Sequence, residues 1–563
     1  MRNDHASPPL DTRGAGSQAL QLCPASRSQT PHCHTAHHGA FCSMGSISME
    51  LLSLDGMRVE ALRLLESLGS SPRAKALLIA GAVGLLVRAY RGWRRLSHVP
   101  GPFLWSLSSL PLLRANLIGR SHQMLNDLTN EHGPVVRIAP NAVLTTDYRY
   151  LQKLEARKGA AACTKGPWYG TFRFQKGIDH SFSQLDEARH SALRAKVGQG
   201  YSGNYLVEQA IDRQLERFFR IVDEQYLSGP GEYRPMDLST ITQFLALDIV
   251  GDMTFGKAFG FLDEGRDIFD WIEWNEGFFP VASTCATLPF LATLFQTWPF
   301  SEALPKRTDA KGLGRFIKAA EDTIEERSQP GAEQRRDMMA TFLKHGITKE
   351  EATSEALVQV VAGTDSVAVA LRMAILYVLS TPRVYKRLLE ELHAARDSGV
   401  IGYPIKDAEA KKLPYLQAVI RESLRIFAPQ TPLLNKVVPK GGDVVSGIAL
   451  PEGTQVGMDG WGILRSKEHW GPDSLIFRPE RWLEADEARR EEMASALDAL
   501  FGYGRYKCLG RSIAFMELNK SLPEILMRYD FTVIDPTYPI KKMHSAAFWM
   551  MEGFMVTVTP KAA

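Results

Sequence analysis

Cysteine is scarce in this sequence: there are six in 563 residues, and three of them, Cys23, Cys33 and Cys42, lie in the first fifty. With Cys163, Cys285 and Cys508 widely separated in the body, a disulfide scaffold is excluded and a reducing compartment is the simplest reading. Neither sign of charge is in excess, since 66 Lys plus Arg meet 63 Asp plus Glu for a formal net charge of +3. That balance argues against a nucleic-acid binder, which needs a basic surplus or stripe to neutralise phosphate. After Ser97 there is no Gly/Ser-rich spacer and no internal repeat, which argues for one large domain. No apolar run reaches the roughly 20 residues that cross a hydrocarbon core. What is present, 45% hydrophobic and 23% charged residues, is the composition of an ordered globular protein.

Residues 1–48 are rich in Ser, His, Thr, Pro and Gly without helical or strand periodicity, and are read as a disordered or non-native extension. Met44, Met49 and Met57 are alternative starts, and the spacing of Cys33, His34, His37, His38 and Cys42 matches no zinc finger. Residues 49–95 are read as an N-terminal helix and membrane anchor. Its apolar run, 76–87, is short, but Arg73 and Lys75 precede it and Arg88, Arg91, Arg94 and Arg95 follow. Side chains that long snorkel, so a helix over about 71–91 could span a thin bilayer. The heavier cluster after the run would leave the remainder cytosolic. An ordinary core helix is the competing reading. His98-Val99-Pro100-Gly101-Pro102 forms a stiff hinge. Residues 96–563 then read as one mainly α domain with a small β subdomain, its strand-like pieces at 135–138, 142–146, 437–438, 454–456 and 554–559.

The strongest local signal is Phe501-Gly502-Tyr503-Gly504-Arg505-Tyr506-Lys507-Cys508-Leu509-Gly510-Arg511, followed by a helical pattern over 512–526. A cysteine there lies at a helix N-terminus, where free amides and the dipole favour a thiolate; Arg505, Lys507 and Arg511 add charge of the right sign. Such a sulfur is a nucleophile or a metal ligand, and a buried structural cysteine is the alternative. Gly504 permits a tight bulge and Gly510 the close approach of a flat ligand. Phe501, Gly504, Cys508 and Gly510 together match the haem signature Phe-x-x-Gly-x-x-x-Cys-x-Gly, and the segment resembles that of the cytochrome P450 family. The resemblance implies haem b with Cys508 as its axial thiolate, whose electron donation favours cleavage of the bound dioxygen bond. It also implies Arg505 at a haem propionate and Phe501 packed near the sulfur.

Three more segments carry the same resemblance. Leu413 to Arg425 reads as a helix with Glu422 and Arg425 on one face, and the family locks such a pair to an arginine in a later segment, here Arg481 within Phe477-Arg478-Pro479-Glu480-Arg481-Trp482. A helix opening on the capping box Thr348/Glu351 runs over 349–379, about 45 Å at the usual rise. Midway it carries Ala362-Gly363-Thr364-Asp365-Ser366, which resembles the oxygen-activation motif. That implies Gly363 leaving room for dioxygen, with Asp365 and Ser366 organising water and delivering protons. Serine stands where the family usually has threonine, and Val367 follows. Lys436, and His190 with Arg194, resemble the family's propionate ligands. His132 to Asn141 looks like the early sheet of membrane-bound, particularly fungal, members. The resemblance covers about residues 99–560.

What it implies is a mainly α cytochrome P450 fold with a small β subdomain, behind a single-pass anchor in the endoplasmic reticulum membrane. The implied reaction is monooxygenation of a lipophilic small molecule of specialised metabolism, with electrons from NADPH through a cytochrome P450 reductase and cytochrome b5 as a further donor. Lys507 and Arg511 are candidates for docking an acidic reductase surface. The pocket is expected from 164–179, 278–300, Ala362 and 545–551, with Trp168, Tyr169, Phe172, Phe278, Phe279, Phe290, Phe548 and Trp549 as its aromatic content. The same fold also supports a haem-thiolate isomerase, dehydratase or peroxygenase that needs no reductase. A reading from another class is a non-catalytic, haem-binding membrane protein.

Overall fold

The computed structural model describes residues 72–202, 205–327, 329, 331, 337–431, 433–546 and 548–561. The extension 1–48, its Cys/His cluster and the helix expected from Met49 lie outside them. Two compact units are distinguished, one ending at Ala80 and one comprising Gly81–Ala563. The apolar run lies on helix α1 (Pro72–Arg95), close to the expected span. Among the described residues one unbroken helix is long and apolar enough to cross a membrane, Lys349–Leu379, and it is mostly buried in protein.

Six further helices position the site: α2 (Glu187–Val197), α3 (Leu238–Phe255), α4 (Trp271–Thr287), α5 (Lys349–Leu379), α6 (Pro414–Ile426) and α7 (Arg511–Arg528). Four of the six start on a side-chain cap or a proline. Asp186 caps α2 by accepting from Arg189 N, and Thr348 and Glu351 form the expected capping box on α5. Pro414 opens α6 at a position where a missing amide hydrogen costs nothing. Helix α3 is buried on nearly every side and packs along α5. At their contact a Cβ on Gly363 would meet Val250 Cγ2 at 3.1 Å, so the glycine sets how near the two axes come.

Five short strands form the main sheet: β1 (Val135–Ala139), β2 (Ala142–Thr145), β3 (Thr164–Lys165), β4 (Lys436–Val437) and β5 (Gln455–Met458), ordered β1-β2-β5-β4-β3. The register places Lys165 directly opposite Lys436. A hairpin of β6 (Lys542–Ala546) and β7 (Phe548–Glu552), absent from the sequence reading, covers another side of the core. One large apolar cluster draws on residues from Leu96 to Val558.

Candidate active site

Cys508 lies in a loop closed by its own backbone, its amide donating to Phe501 O at 2.6 Å. The turn needs left-handed residues at Gly502 (φ 68) and Gly504 (φ 52), and a Cβ on Gly504 would stand 2.5 Å from Glu155 O. Helix α7 begins three residues later, and the Gly510 and Arg511 amides donate to the Cys508 sulfur. Burial nevertheless pushes the Cys508 thiol up, against those amides and the Arg194 and Arg511 charges. Protein surrounds Cys508, yet its sulfur remains accessible, because it lies on the wall of an internal cavity of about 240 Å³. Phe501 lines the same wall. Gly510 has φ −79 and only Cys508 Sγ, at 3.9 Å, within reach of an added Cβ, so the polypeptide itself makes no demand for glycine there.

The basic residues of this loop have partners within the protein. Lys507 and Arg511 share Asp498, at 3.1 and 2.7 Å. Arg505 does not line the cavity; it donates to Arg157 O and Cys163 O and lies 3.5 Å from Glu187.

The wall facing Cys508 is α5, which contributes Ala362, Gly363, Ser366 and Val367. Ser366 Oγ donates to Ala362 O at 2.7 Å, a bond that holds the hydroxyl against the helix while its oxygen stays open to the cavity. Asp365 is not beside it. Its carboxylate points away, accepting from Gln243 Nε2 at 2.6 Å and from Asn275 Nδ2, and lines a separate small cavity. Successive residues of a helix do not face one another, so the pair expected to act together is divided between two cavities. Burial lifts the Asp365 carboxyl to about 6, against the lowering influence of Arg372 and Asn275.

One edge of the main cavity is cationic: Lys165, His190, Arg194 and Lys436 all line it. Lys436 is already neutralised, 3.1 Å from Glu155 and donating to Tyr169 Oη at 2.8 Å. Burial opposes its charge, but Tyr169 and Glu155 hold its pKa above the ordinary value. Lys165, which the sequence reading missed, donates only to the Ser181 and Phe182 carbonyls, each at 2.8 Å, and burial followed by repulsion from Lys436 brings its pKa down to about 7. Arg194 donates to Lys507 O at 2.9 Å. Among the described residues neither Lys165 nor Arg194 has a carboxylate within ion-pair distance. Burial, with Lys165 and Arg194 adding to it, lowers His190 to about 3, and its buried Nδ1 has no hydrogen-bond partner. Among the described residues, a buried lysine and a half-buried arginine without carboxylates, beside an orphaned ring nitrogen, call for an anionic ligand. Haem b fits that demand: a sulfur on one face, a helix with a central glycine on the other, and an edge that accepts carboxylates.

Of the expected pocket aromatics, Tyr169, Phe172 and Phe548 line the cavity, whereas Trp168, Phe278, Phe279, Phe290 and Trp549 do not. Phe279 packs behind Phe548, with centroids 4.8 Å apart, and Phe290 is 66% exposed. Phe174, Phe182, Tyr201 and Leu434 complete the lining; scattered through loops, they carry no periodic signal. Beneath the cavity the expected triad is formed and fully enclosed. Glu422 accepts from Arg425 Nε at 2.8 Å and Nη2 at 2.7 Å, and from Arg481 Nε at 3.0 Å. The Arg478 amide and Trp482 Nε1 add two more donors, each at 3.0 Å.

Comparison with known proteins agrees with this geometry. The family model described as Cytochrome P450 matches residues 99–558. Cytochrome P450 monooxygenase ABA1 of Pyricularia oryzae is 36% identical over 475 residues, covering 82% of this chain and 92% of the relative. Cytochrome P450 monooxygenase aba1 of Botryotinia fuckeliana is 34% identical over 470 residues, with the same coverage of 82% and 92%. Pisatin demethylase of Fusarium vanettenii is 31% identical over 452 residues, covering 78% of this chain and 84% of the relative. A cysteine on the wall of a closed cavity, the motifs around it and these matches lead to one conclusion: the chain belongs to the cytochrome P450 family and is a monooxygenase, an oxidoreductase whose family implies haem.

Proposed function

We propose that this monooxygenase inserts one oxygen atom from dioxygen into a lipophilic small molecule of specialised metabolism. The observation that carries the reading is the placement of Cys508 and Ser366 on the lining of one largely apolar cavity with a cationic edge. An apolar lining with few convergent polar groups selects a hydrophobic ligand. Similarity to fungal monooxygenases, one of them named for demethylating pisatin, supports a small organic substrate.

Cys508 would hold haem b through its sulfur, with Phe501 beside it, Gly504 shaping the loop and Gly510 leaving room for the close approach of a flat ligand. Lys165, Arg194, His190 and Lys436 would hold the propionate edge, while Arg505 ties the cysteine loop to the chain around Cys163. Haem bound there supplies dioxygen activation, with electrons from NADPH through a cytochrome P450 reductase and cytochrome b5 as a further donor. Gly363 keeps α5 thin beside the cavity. Ser366 Oγ orients a proton-donating hydroxyl or water into it, and Asp365 is the reserve acid behind the helix. Glu422, Arg425 and Arg481 are structural, fixing α6 to the following segment. Residues 96–563 form the catalytic domain, and 49–95, with the apolar run 76–87, anchor it to the endoplasmic reticulum membrane with the domain in the cytosol.

The test is the carbon-monoxide difference spectrum of the dithionite-reduced, haem-supplied protein and of Cys508→Ala. A strongly red-shifted Soret band in the wild type alone is the expected outcome. A folded wild type lacking that band would overturn the assignment of Cys508.

A further inference from the structure

Behind α5 lies the second cavity, about 40 Å³, onto which Gln243, Asn275, Glu276, Asp365 and Glu552 face. A water needs about 10–15 Å³ of such space and two to four polar partners, so there is room here for a short file of waters. The walls also ask for them. Asn275 is 3% exposed; its Nδ2 is committed to Asp365, and its Oδ1 is buried with no partner. An amide oxygen in that position needs an outside hydrogen-bond donor.

At the outer end Glu276 and Glu552 line the cavity beside each other. Two neighbouring carboxylates repel, which favours a proton on one of them. Burial, and then Glu552, raises Glu276 to about 7, while Lys542, 2.6 Å from Glu552, lowers its partner. Lys542 and Asp267 are the other charges facing the pair; Arg372, itself near Asp237, faces Asp365. The side chains of Glu552 and Lys542 are 39% and 71% exposed, so the pair meets bulk water.

We propose that the Glu276–Glu552 pair is a proton inlet that recharges Asp365 through water held in this cavity. The inference rests on the reading of Asp365 as the reserve acid and ends at that residue. The balance is one proton. The Glu276 carboxyl O–H bond breaks, a bridging water accepts that proton and donates another to an Asp365 carboxylate oxygen, and bulk water reprotonates the pair. Asn275 Oδ1 accepts from the bridging water and fixes its orientation. Glu276 and Glu552 are positioning and relay residues, since neither reaches the main cavity.

The test uses the full-length, haem-loaded enzyme with NADPH–cytochrome P450 reductase, dioxygen and NADPH as the probes and no organic substrate added. NADPH oxidation is followed against pH in H2O and D2O for wild type, Glu276→Gln, Glu552→Gln, Asp365→Asn and the control Glu273→Gln, an exposed position on α4. All must retain the wild-type carbon-monoxide spectrum. The expected result is that Glu276→Gln and Glu552→Gln each slow oxidation about tenfold, flatten the pH profile near neutrality and enlarge the solvent isotope effect, as Asp365→Asn does. The control is unchanged and Glu276→Asp restores part of the rate. Loss in Asp365→Asn with wild-type behaviour in both Glu variants would overturn the inlet and leave Asp365 standing. No loss in any of the three would overturn the role of Asp365 as well. Should a Glu variant fail to hold haem, infrared spectra of the wild type and the remaining variant decide. A protonated carboxyl band titrating near neutrality and absent from the variant supports the pair, and its absence from the wild type overturns it.

Discussion

Gly504 and Gly510 flank the same cysteine and look equivalent in the sequence, yet the structure separates them. An added Cβ at Gly504 would press on Glu155 O from a left-handed backbone, whereas at Gly510 it meets only the cysteine sulfur at van der Waals distance. Gly504→Ala should therefore cost about 2 kcal/mol or more and lower the haem bound per protein. Gly510→Ala should leave the urea midpoint near wild type, so any haem it loses reports on the ligand's closeness. Glu517 on α7 offers a second test at this scale. It is buried, and desolvation alone raises its carboxyl from 4.5 to about 8. A raised acid holds its proton more tightly folded than unfolded, so its contribution to stability is intact below 4.5 and falls as pH rises towards 8. Glu517→Gln should accordingly gain about 4 kcal/mol on the wild type between pH 5 and pH 9 in urea melts. An equal difference at the two pH values would count against this.

The Glu422 network shows how two elements distant in sequence are locked. Two guanidinium groups, one indole and one backbone amide converge on a carboxylate that has no access to water. Glu-x-x-Arg on α6 and Arg481 were legible because spacing on a helix face and one charged partner suffice to suggest them. The donors from Arg478 N and Trp482 were not, since they depend on how the later segment folds back. Removing the acceptor strands buried cations, so Glu422→Ala should lose about 3–5 kcal/mol in equilibrium unfolding and release haem at lower urea than the wild type. The α3–α5 contact is another case. Gly363 is read from the sequence as space for a ligand, and a Cβ added there would stand only 3.1 Å from Val250 Cγ2.

For the whole molecule, Arg137 marks where the catalytic domain begins. It is buried, and its guanidinium donates to Trp93 O at 2.8 Å and Gly92 O at 3.0 Å, so the last turn of α1 belongs to the folded body. Deleting residues 1–88 should move the protein from the membrane to the soluble fraction and preserve the carbon-monoxide band, whereas deleting to Leu96 should impair folding. Much of this protein was set by local sequence. The glycine-punctuated cysteine loop, the capping box, Pro414 and the pattern of apolar residues act over a few residues, so the cysteine's place before a helix and the long central helix could be read directly. Tertiary structure decided which side of α5 faces which cavity, sending Ser366 to one and Asp365 to the other. It also brought Lys165 opposite Lys436 across strands 271 residues apart in sequence, and it left Lys165 and Arg194 without carboxylates while Lys507 and Arg511 found one. Helical periodicity fixes the angle between neighbouring side chains but not the direction of the set, and ion pairing depends on which distant loop arrives; both follow from packing.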